Sequence, residues 1–411
     1  MTRIKDLFSR DVFNMAVLVA ALGYFVDIYD IVLFGIVRRA SLLDIGVPEE
    51  MLGDVGIYLL NMQMAGMLLG GLLWGILGDR KGRLSVLFGS ILMYSLANIA
   101  NAFVTDVQTY AALRFLAGIG LAGELGAGIT LVSELVPKEK RGYSTAIVAS
   151  IGVSGAIAAG LVAQFTDWQT AYIIGGVMGL TLLALRFKVM ESGMFDGVKA
   201  NHKVSRGNFL MLFRSWGTFT KYLSCILIGV PIWYVAALPL FLSPELAAFM
   251  GATGPVVAGT AVMMCYTGLI FGDLISGVGS QLLGSRRKAV ALFMAITALA
   301  CFIYLTQTGM TPTWYYAMCF FMGFGSGYWA VFVTIGAEQF GTNIRATAAT
   351  TIPNFVRGAV IPMTMTFTLF KGMGMPLNEA AIWVGVISFA LAGVALWHLN
   401  ETIHKDLDYT E

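Results

Sequence analysis

About twelve apolar segments, each long enough to cross a lipid bilayer, follow one another along the chain and constrain its fold more than any other feature. A spanning helix needs about 20 apolar residues, and 57% of this chain is hydrophobic while only 12% is charged. Soluble domains carry about 25% charged residues. We therefore predict an all-α membrane protein whose spans lie near 12–37, 55–77, 84–104, 108–135, 143–164, 168–187, 217–242, 257–281, 289–307, 312–337, 346–370 and 379–398.

The segments fall into two sets of six, separated by the longest polar stretch, 187–213. We predict a six-helix bundle over 1–190, a central cytoplasmic loop over 191–214, and a second six-helix bundle over 215–411 with a short cytoplasmic tail. The halves repeat one another: Glu134 and Arg141 end the fourth segment with the spacing that Glu338 and Arg345 have at the end of the tenth, 204 positions later. Parallel six-helix repeats with a site between them are a transporter architecture.

Basic residues predict the orientation, because cytoplasmic loops carry an excess of lysine and arginine. With both termini cytoplasmic, 21 of the 26 basic residues face inward and three face outward. Two of the outward residues, Arg38 and Arg39, are exceptions that snorkelling to the outer interface would explain. The first apolar run is longer than the core of a signal peptide and contains two aspartates, so we interpret it as a retained spanning helix.

Several classes of function are disfavoured by composition. The four cysteines lie in apolar runs without metal-ligand spacing, and the three histidines lie in the central loop or near the C-terminal end. We therefore expect no metal, no cofactor and no enzymatic activity. A net charge of +2 gives no indication of nucleic-acid binding. The expected partners are the bilayer, protons and a small-molecule substrate, and the chain is expected to be a monomer.

The segment Gly75–Arg83 is a tight glycine turn with an acid and several bases, Asp79, Arg80 and Arg83 among them. It resembles the signature between the second and third helices of the major facilitator superfamily. Arg114–Gly120 and Glu134–Gly142 resemble the fourth-helix motif and the E-x-x-P-x-x-x-R-G element of its sugar-porter-like and organic-ion-porter-like members. The resemblance covers essentially the whole chain and implies a twelve-helix transporter. The gating residues that we predict at the inner face are Asp79, Arg80, Arg83, Glu134, Arg141, Glu338 and Arg345.

Two departures from the family pattern matter. Gln281 stands in the second half where Asp79 stands in the first, so the two inner gates are not equivalent. The fifth segment lacks the Gly-Pro pair of drug antiporters, which disfavours a drug exporter.

Six charged residues fall inside predicted spans. Each costs about 2.5–3.5 kcal/mol near a helix centre on insertion scales, so we expect them to pair, to face a cavity or to be protonated. They are Asp27, Asp30, Arg114, Glu124, Asp273 and Arg357.

The acidic members are candidates for proton coupling. Asp27 and Asp30 are three apart on one helix face, where two carboxylates resist ionising together. Their Asp-x-x-Asp spacing also resembles that of the aromatic-acid:proton symporters. Glu124 lies among glycines that let another helix approach closely. The alternatives are a structural carboxylate pair for the aspartates and a buried hydrogen bond for Glu124.

The predicted substrate site uses bases and aromatic rings. Arg357 can hold a carboxylate in a two-pronged bond, and Asn354 lies one turn before it. The alternative for Arg357 and for Arg114 is a salt bridge inside the bundle. Asp273 is predicted to belong to the inner gate. The full set of predicted substrate-binding residues is Arg357, Asn354, Arg114, Trp233, Tyr234, Tyr328 and Trp329.

These features predict proton-coupled uptake of a small organic solute by alternating access, an organic anion in preference to a sugar. A sugar or polyol symporter or a uniporter is the nearest alternative, and an exporter follows. A solute sensor is the alternative of another class, although a sensor usually carries a soluble signalling domain. We predict a multi-pass protein of the plasma membrane, the inner membrane of a bacterium.

Overall fold

The computed structural model describes residues 15–81, 83–124, 148–191, 209–341 and 344–403, and every regular element in these ranges is helical. Helical residues occur in all twelve predicted segments, which confirms the all-α fold class. In the first half the helices are α1 (Met15–Asp44), α2 (Leu52–Lys81), α3 (Arg83–Asn101), α4 (Val107–Leu121), α5 (Gly155–Phe165) and α6 (Trp168–Glu191).

The second half contains more and shorter helices. They are α7 (Trp216–Leu227), α8 (Val230–Val235), α9 (Ser243–Phe249), α10 (Ala258–Leu282), α11 (Arg286–Thr306), α12 (Pro312–Ser326), α13 (Trp329–Glu338), α14 (Arg345–Gly358), α15 (Val360–Gly372) and α16 (Leu377–His398). A π-helical turn, Ala236–Leu240, links α8 to α9. The domain boundaries near 190 and 215 remain a prediction, since residues 192–208 lie outside the described ranges.

Several segments that the hydropathy pattern predicts as single spans are interrupted in the structure, and three of these breaks lie in the described part of the second half. The break between α7 and α8 precedes Pro231, and the break between α14 and α15 precedes Pro362. Proline lacks the N–H that would bond to the carbonyl four residues earlier, so it weakens the helix there. The third break, between α12 and α13, lies at Gly327, whose backbone is packed so closely on Gly272 that a Cβ would not fit.

The repeat that the sequence predicts is visible in the helix packing. In the first half, α2 packs against α4, where added Cβ atoms at Gly66 and Gly118 would meet the backbone of the facing helix. In the second half, α10 packs against α12 at Gly268 and Gly323 in the same way. Small residues allow helix backbones to approach closely in membranes. The two bundles are therefore built on one plan, with the second and fourth spans of each half in tight contact.

The halves meet along two seams. Helix α5 packs against α10, where Gly160 lies on Met263, and α2 packs against α14, where Gly71 lies on Asn354. Between the seams, α1 faces α8 and α10 across a cavity.

Candidate functional site

The cavity lies between the two halves and has mostly apolar walls. It consists of two adjoining chambers that share Trp233 and Tyr266, and Arg357 borders one of them. Ligand sites commonly have mostly apolar walls with a few placed polar groups. The wall of that chamber is formed by Tyr24, Ile28, Val153, Ile232, Trp233, Val235, Ala236, Leu240, Cys265, Tyr266, Leu269, Ser326, Trp329 and Arg357.

Arg357 is the one charged side chain that lines either described chamber. It is fully buried, and its Nη2 lies 3.7 Å from Oδ2 of Asp27 on the opposite half. Its Nη1 donates a long 3.5 Å hydrogen bond to Asn354, its Nε has no partner among the described residues, and its Cζ lies 5.6 Å from the ring centre of Trp233. These contacts are long, so the guanidinium retains donors for a ligand.

Asn354 belongs to the seam between the halves. Its Nδ2 donates to the carbonyl of Ala122 at 3.2 Å, and the side chain is buried. This bond joins α14 to the end of α4. The structure therefore places Asn354 beside Arg357 but outside the lining of both chambers.

Asp30 and Arg114 lie in the interior of the first half, away from the cavity lining. Arg114 donates to Oε1 of Gln63, and its Cζ lies 5.0 Å from the ring centre of Phe34 and 5.8 Å from that of Tyr172. Asp30 is fully buried and interacts electrostatically with Arg114 and Asp27. This arrangement favours the pairing alternative for Arg114 over direct contact with a substrate.

Glu124 forms a two-pronged ion pair with Arg186, through Nη1 to Oε2 at 3.1 Å and Nη2 to Oε1. Both side chains are buried against Gly23 of α1, where no Cβ would fit. The sequence analysis counts Arg186 among the inward-facing basic residues; in the structure it lies within α6, five residues before the helix ends, and is 5% exposed. The sequence contained one indication that Arg186 is buried, because Arg186 lies on the same face of α6 as Gly175 and Gly179.

The four aromatic residues predicted for the cavity divide into two pairs. Trp233 and Trp329 line it. Tyr234 instead donates to the carbonyl of Ala381 at 2.8 Å, and Tyr328 donates to that of Ile228 at 3.0 Å, so these two tyrosines fasten neighbouring helices and do not reach the described chambers. Sequence reasoning missed Tyr24 and Tyr266, which do line the cavity.

Asp273 caps a helix. Its Oδ1 accepts the backbone N–H of Ala330 at 3.0 Å, in the first turn of α13. A carboxylate at a helix N-terminus satisfies free N–H groups and complements the helix dipole. Because both partners belong to the second half, the geometry favours a cap over the inner-gate role predicted for Asp273.

The predicted inner-gate residues are only partly described. Glu338 accepts from Nε and Nη2 of Arg286, both at 2.7 Å, and Arg345 donates to the carbonyl of Phe340 at 3.1 Å. These contacts stay within the second half. Residues Glu134 and Arg141 lie outside the described ranges, as do the side chains of Asp79, Arg80 and Arg83.

At the other end of the molecule, charged pairs join the halves directly. Arg38 of α1 is fully buried and its Nη2 donates to both carboxylate oxygens of Glu245, each at 2.7 Å, and to the carbonyl of Phe241 at 3.2 Å. Lys371 lies 2.8 Å from Asp54. The sequence interpretation of Arg38 as a snorkelling residue is therefore wrong. The sequence contained an indication that Arg38 faces the bundle interior. Arg38 follows Asp27 by eleven residues, a spacing that puts both on the same face of α1.

Comparison with known proteins identifies the family. The model described as Major Facilitator Superfamily matches residues 13–361, so the chain belongs to that superfamily of membrane transporters. The niacin transporter NiaP of Acinetobacter baylyi is 31% identical over 196 residues, which are 47% of this chain and 44% of that one. The gentisate transporter of Corynebacterium glutamicum is 25% identical over 409 residues, 94% of this chain and 88% of that one.

The fold is shared with a solved sugar transporter. A crystal structure of D-xylose-proton symporter superimposes with a TM-score of 0.70 at 16% identity, covering 96% of this chain and 99% of that chain. The chain spans less than half the length of the niacin transporters that it matches. These relationships place the chain in a family of multi-pass membrane transporters rather than of enzymes.

Proposed function

We propose that the protein takes up a small aromatic carboxylate together with a proton. The observation that carries the proposal is the pair of Arg357 and Asp27, which bridges the two halves at 3.7 Å beside an aromatic, largely apolar cavity. The names of the niacin and gentisate transporters, both of which denote aromatic acids, support the same substrate class.

The anion is assigned to Arg357. A guanidinium matches a carboxylate in a two-pronged, charge-assisted bond, and Trp233 and Trp329 offer ring faces beside it. Apart from the hydroxyls of Tyr24, Tyr266 and Ser326, the remaining wall is apolar. A sugar presents a hydroxyl on almost every carbon, and each hydroxyl buried without a partner costs about 1–3 kcal/mol. The wall therefore favours a flat, apolar acid over a sugar or polyol.

The proton is assigned to the aspartates of α1, and Asp27 supplies the coupling. An ionised Asp27 competes with the substrate carboxylate for Arg357. When Asp27 accepts a proton, the pair loses its attraction and Arg357 becomes free to bind the anion. Proton and anion then bind cooperatively, since each favours the state that accepts the other.

Transport by reconstituted protein tests the proposal. Proteoliposomes with an alkaline interior and an acidic exterior are given radiolabelled benzoate, 4-hydroxybenzoate, nicotinate, xylose or xylitol. We expect at least one acid to accumulate above the level that protein-free liposomes reach by passive entry of the neutral acid, and we expect a protonophore that removes the gradient to abolish this excess. Each pH unit supports about tenfold accumulation for one proton per anion. Accumulation of xylose or xylitol alone would contradict the proposal and favour a sugar or polyol transporter. Absence of all transport would favour a solute sensor.

The orientation is also proposed from charge. The basic loops place both termini in the cytoplasm of a bacterial inner membrane, so we call the end of Arg186 and Arg286 the inner end and that of Arg38 the outer end. A cysteine introduced at residue 2 should react with a membrane-impermeant maleimide only after cells are broken. Reaction on intact cells would reverse the assignment.

A further inference from the structure

The interior of the first half contains a polar stripe that the substrate site does not use. Tyr94, Ser95 and Asn98 lie close together on α3, and all three are fully buried. The Tyr94 hydroxyl and the Ser95 hydroxyl have no hydrogen-bond partner in the part of the chain that the structure describes, and the Asn98 amide lies beside Asp30. None of the three lines the cavity.

Such groups are rarely left without partners. More than about nine-tenths of buried polar groups in folded proteins are hydrogen-bonded, and where the protein supplies no partner a buried water does. Polar side chains inside a membrane bundle commonly mark ion or proton pathways. The stripe therefore has the chemistry of a narrow hydrated channel.

Contacts of the stripe place it between two charged sites. On α6, a Cβ at Gly175 would meet Asp30, and a Cβ at Gly179, one turn later, would meet Ser95 and Tyr94. Arg186, which holds Glu124, follows two turns after Gly179 on the same face of α6. Moving along α6, the order is therefore Asp30, then the stripe, then the pair of Arg186 and Glu124.

Helix α1 gives the same order independently. Gly23 lies against Glu124 and Arg186, and Asp30 is seven residues farther along, about 10 Å by helical rise. Tyr94 interacts electrostatically with both Asp30 and Glu124, and Asn98 interacts with Asp30. A gap of this length needs only a few water molecules.

We propose that Tyr94, Ser95 and Asn98 form a hydrated proton path between Asp30 and the inner end of the first half, separate from the substrate cavity. This rests on the proton-coupled transport proposed above. Each hydroxyl or water along the path accepts one proton and passes on another, so that only Asp30 changes its protonation state. The groups facing Asp30 are Asp27 and Tyr29 on its own helix, Tyr94 and Asn98 of α3, Arg114 of α4 and Tyr172 of α6.

The path explains how a proton leaves Asp30 toward the inner end. The carboxylate is 0% exposed and does not itself line the cavity. Glu124 and Arg186 at the inner end neutralise each other and leave no net charge to repel a proton. Substrate and proton would then leave by different routes.

The test replaces Asn98 by leucine, which has a similar volume and no polar atoms, and Tyr94 by phenylalanine. Proteoliposomes receive radiolabelled benzoate, 4-hydroxybenzoate and nicotinate, and two rates are compared: accumulation driven by a pH gradient, and exchange of internal for external acid at equal pH. Exchange needs no proton release. We expect Asn98→Leu to slow accumulation by about tenfold or more while exchange remains at the wild-type rate, with a smaller effect of the same kind for Tyr94→Phe.

Two controls separate a proton path from packing. Asn98→Ser keeps a polar atom and makes room for water, so it should accumulate substrate faster than Asn98→Leu. Thr297→Val removes a buried hydroxyl from α11, the counterpart of α3, where that hydroxyl already bonds to the carbonyl of Phe293 at 2.8 Å, and it should have no effect.

The outcomes are distinct. Asn98→Leu that accumulates substrate at the wild-type rate would overturn the path, as would a parallel loss of accumulation and exchange. Equal slowing by Asn98→Leu and Asn98→Ser would also overturn it. If the wild type exchanges the acids but shows no response to the pH gradient, the proton-coupled function itself fails, and the path fails with it.

Discussion

The two halves of the molecule pack their second and fourth spans in the same way but carry different interiors. The described part of the first half buries Asp27, Asp30, Arg38, Arg114, Glu124 and Arg186. Among the described residues of the second half, the fully buried charge is Arg357, and it is surrounded by aromatic side chains. The carboxylates that we propose as proton carriers are thus concentrated on one side of the cavity, and the guanidinium that we propose for the anion lies on the other.

This difference teaches that a repeated backbone does not require a repeated chemistry. The interhelical glycines recur in both halves because backbone approach depends on size alone. The buried charges do not recur, because each buried charge needs a partner. Tertiary contacts supply that partner, and these contacts differ between the halves. The different roles that we propose for the two halves follow from the pairing of their charges. Variants of those pairs test whether the roles differ.

The largest effect is expected from Arg357. Arg357→Gln should lower the affinity for an aromatic carboxylate by about 10- to 100-fold, because a hydrogen bond to a charged group contributes about 1.5–3 kcal/mol. Thermal-shift titration with benzoate measures this affinity, and benzamide, which has no charge, is the matched ligand. Arg114→Gln removes an equally buried arginine from the first half and should leave benzoate affinity unchanged. Equal losses in both variants would contradict the division between the halves.

Asp27→Asn should abolish accumulation while exchange continues. An asparagine carries no proton and no negative charge, so Arg357 no longer has a competitor for the substrate. We expect carboxylate affinity to become the same at pH 6 and pH 8, whereas the wild type binds more tightly at pH 6.

Asp30→Asn separates the two aspartates. It should also stop accumulation, but the pH dependence of binding should persist because Asp27 still pairs with Arg357. Titrations of both variants with benzoate at the two pH values test this. If Asp30→Asn abolishes the pH dependence as well, the competition assigned to Asp27 belongs to the aspartates jointly.

The outer end should show a smaller effect, on stability. Glu245→Gln leaves the buried Arg38 with neutral acceptors alone, the carbonyls of Leu52 and Phe241 and the new amide oxygen, and leaving a buried charge without its ion-pair partner costs about 3–5 kcal/mol. Asp54→Asn removes the partner of Lys371, where the side chains are 56% and 32% exposed, and such pairs contribute about 0–1 kcal/mol. Thermal unfolding in detergent compares the two. Similar shifts would mean that Arg38 does not depend on its charge partner.

The sequence predicted the fold and the location of buried charge better than it predicted the partners. Span length, the central polar stretch and the repeat are local properties, and all are legible in one chain. Glu124 and Arg186 are 62 positions apart, and Arg38 and Glu245 are 207 apart. Helix rotation and the breaks at Pro231 and Pro362 determine which of these distant charges meet. The hydropathy pattern predicts neither the rotation nor the breaks.

The aromatic residues show the same limit. Neighbours in sequence, Trp233 and Tyr234, point to different places: the first lines the cavity and the second bonds to Ala381. Successive residues of a helix lie about 100° apart around its axis. A prediction that assigns a stretch of helix to a cavity therefore includes residues that face the neighbouring helix instead.

The smallest expected effect concerns Glu401, after α16. Burial alone raises the pKa of this carboxyl, but hydrogen bonds from Ser285 and from the backbone N–H groups of Arg286, Thr402 and Arg287 outweigh it and lower the pKa to about 2. A carboxyl whose pKa is lower in the folded state contributes stability above its unfolded pKa of about 4.3, and this contribution is lost as the pH falls toward 2. Glu401→Gln should therefore lower the unfolding temperature at pH 7, and the difference from wild type should shrink below pH 4.5.

Asp106 supplies the control from the first half. It caps α4 by accepting the backbone N–H of Thr109 at 2.8 Å, and hydrogen bonds from Thr109 lower its pKa as well. Asparagine is an equally good N-cap, and the site is fully exposed, so Asp106→Asn should change the unfolding temperature little at any pH. Glu401 instead ties α11 to the chain after α16, which makes its loss a tertiary effect. A difference between Glu401→Gln and wild type that persists unchanged at pH 3 would show that the bonds, and not the charge, stabilise this end of the second half.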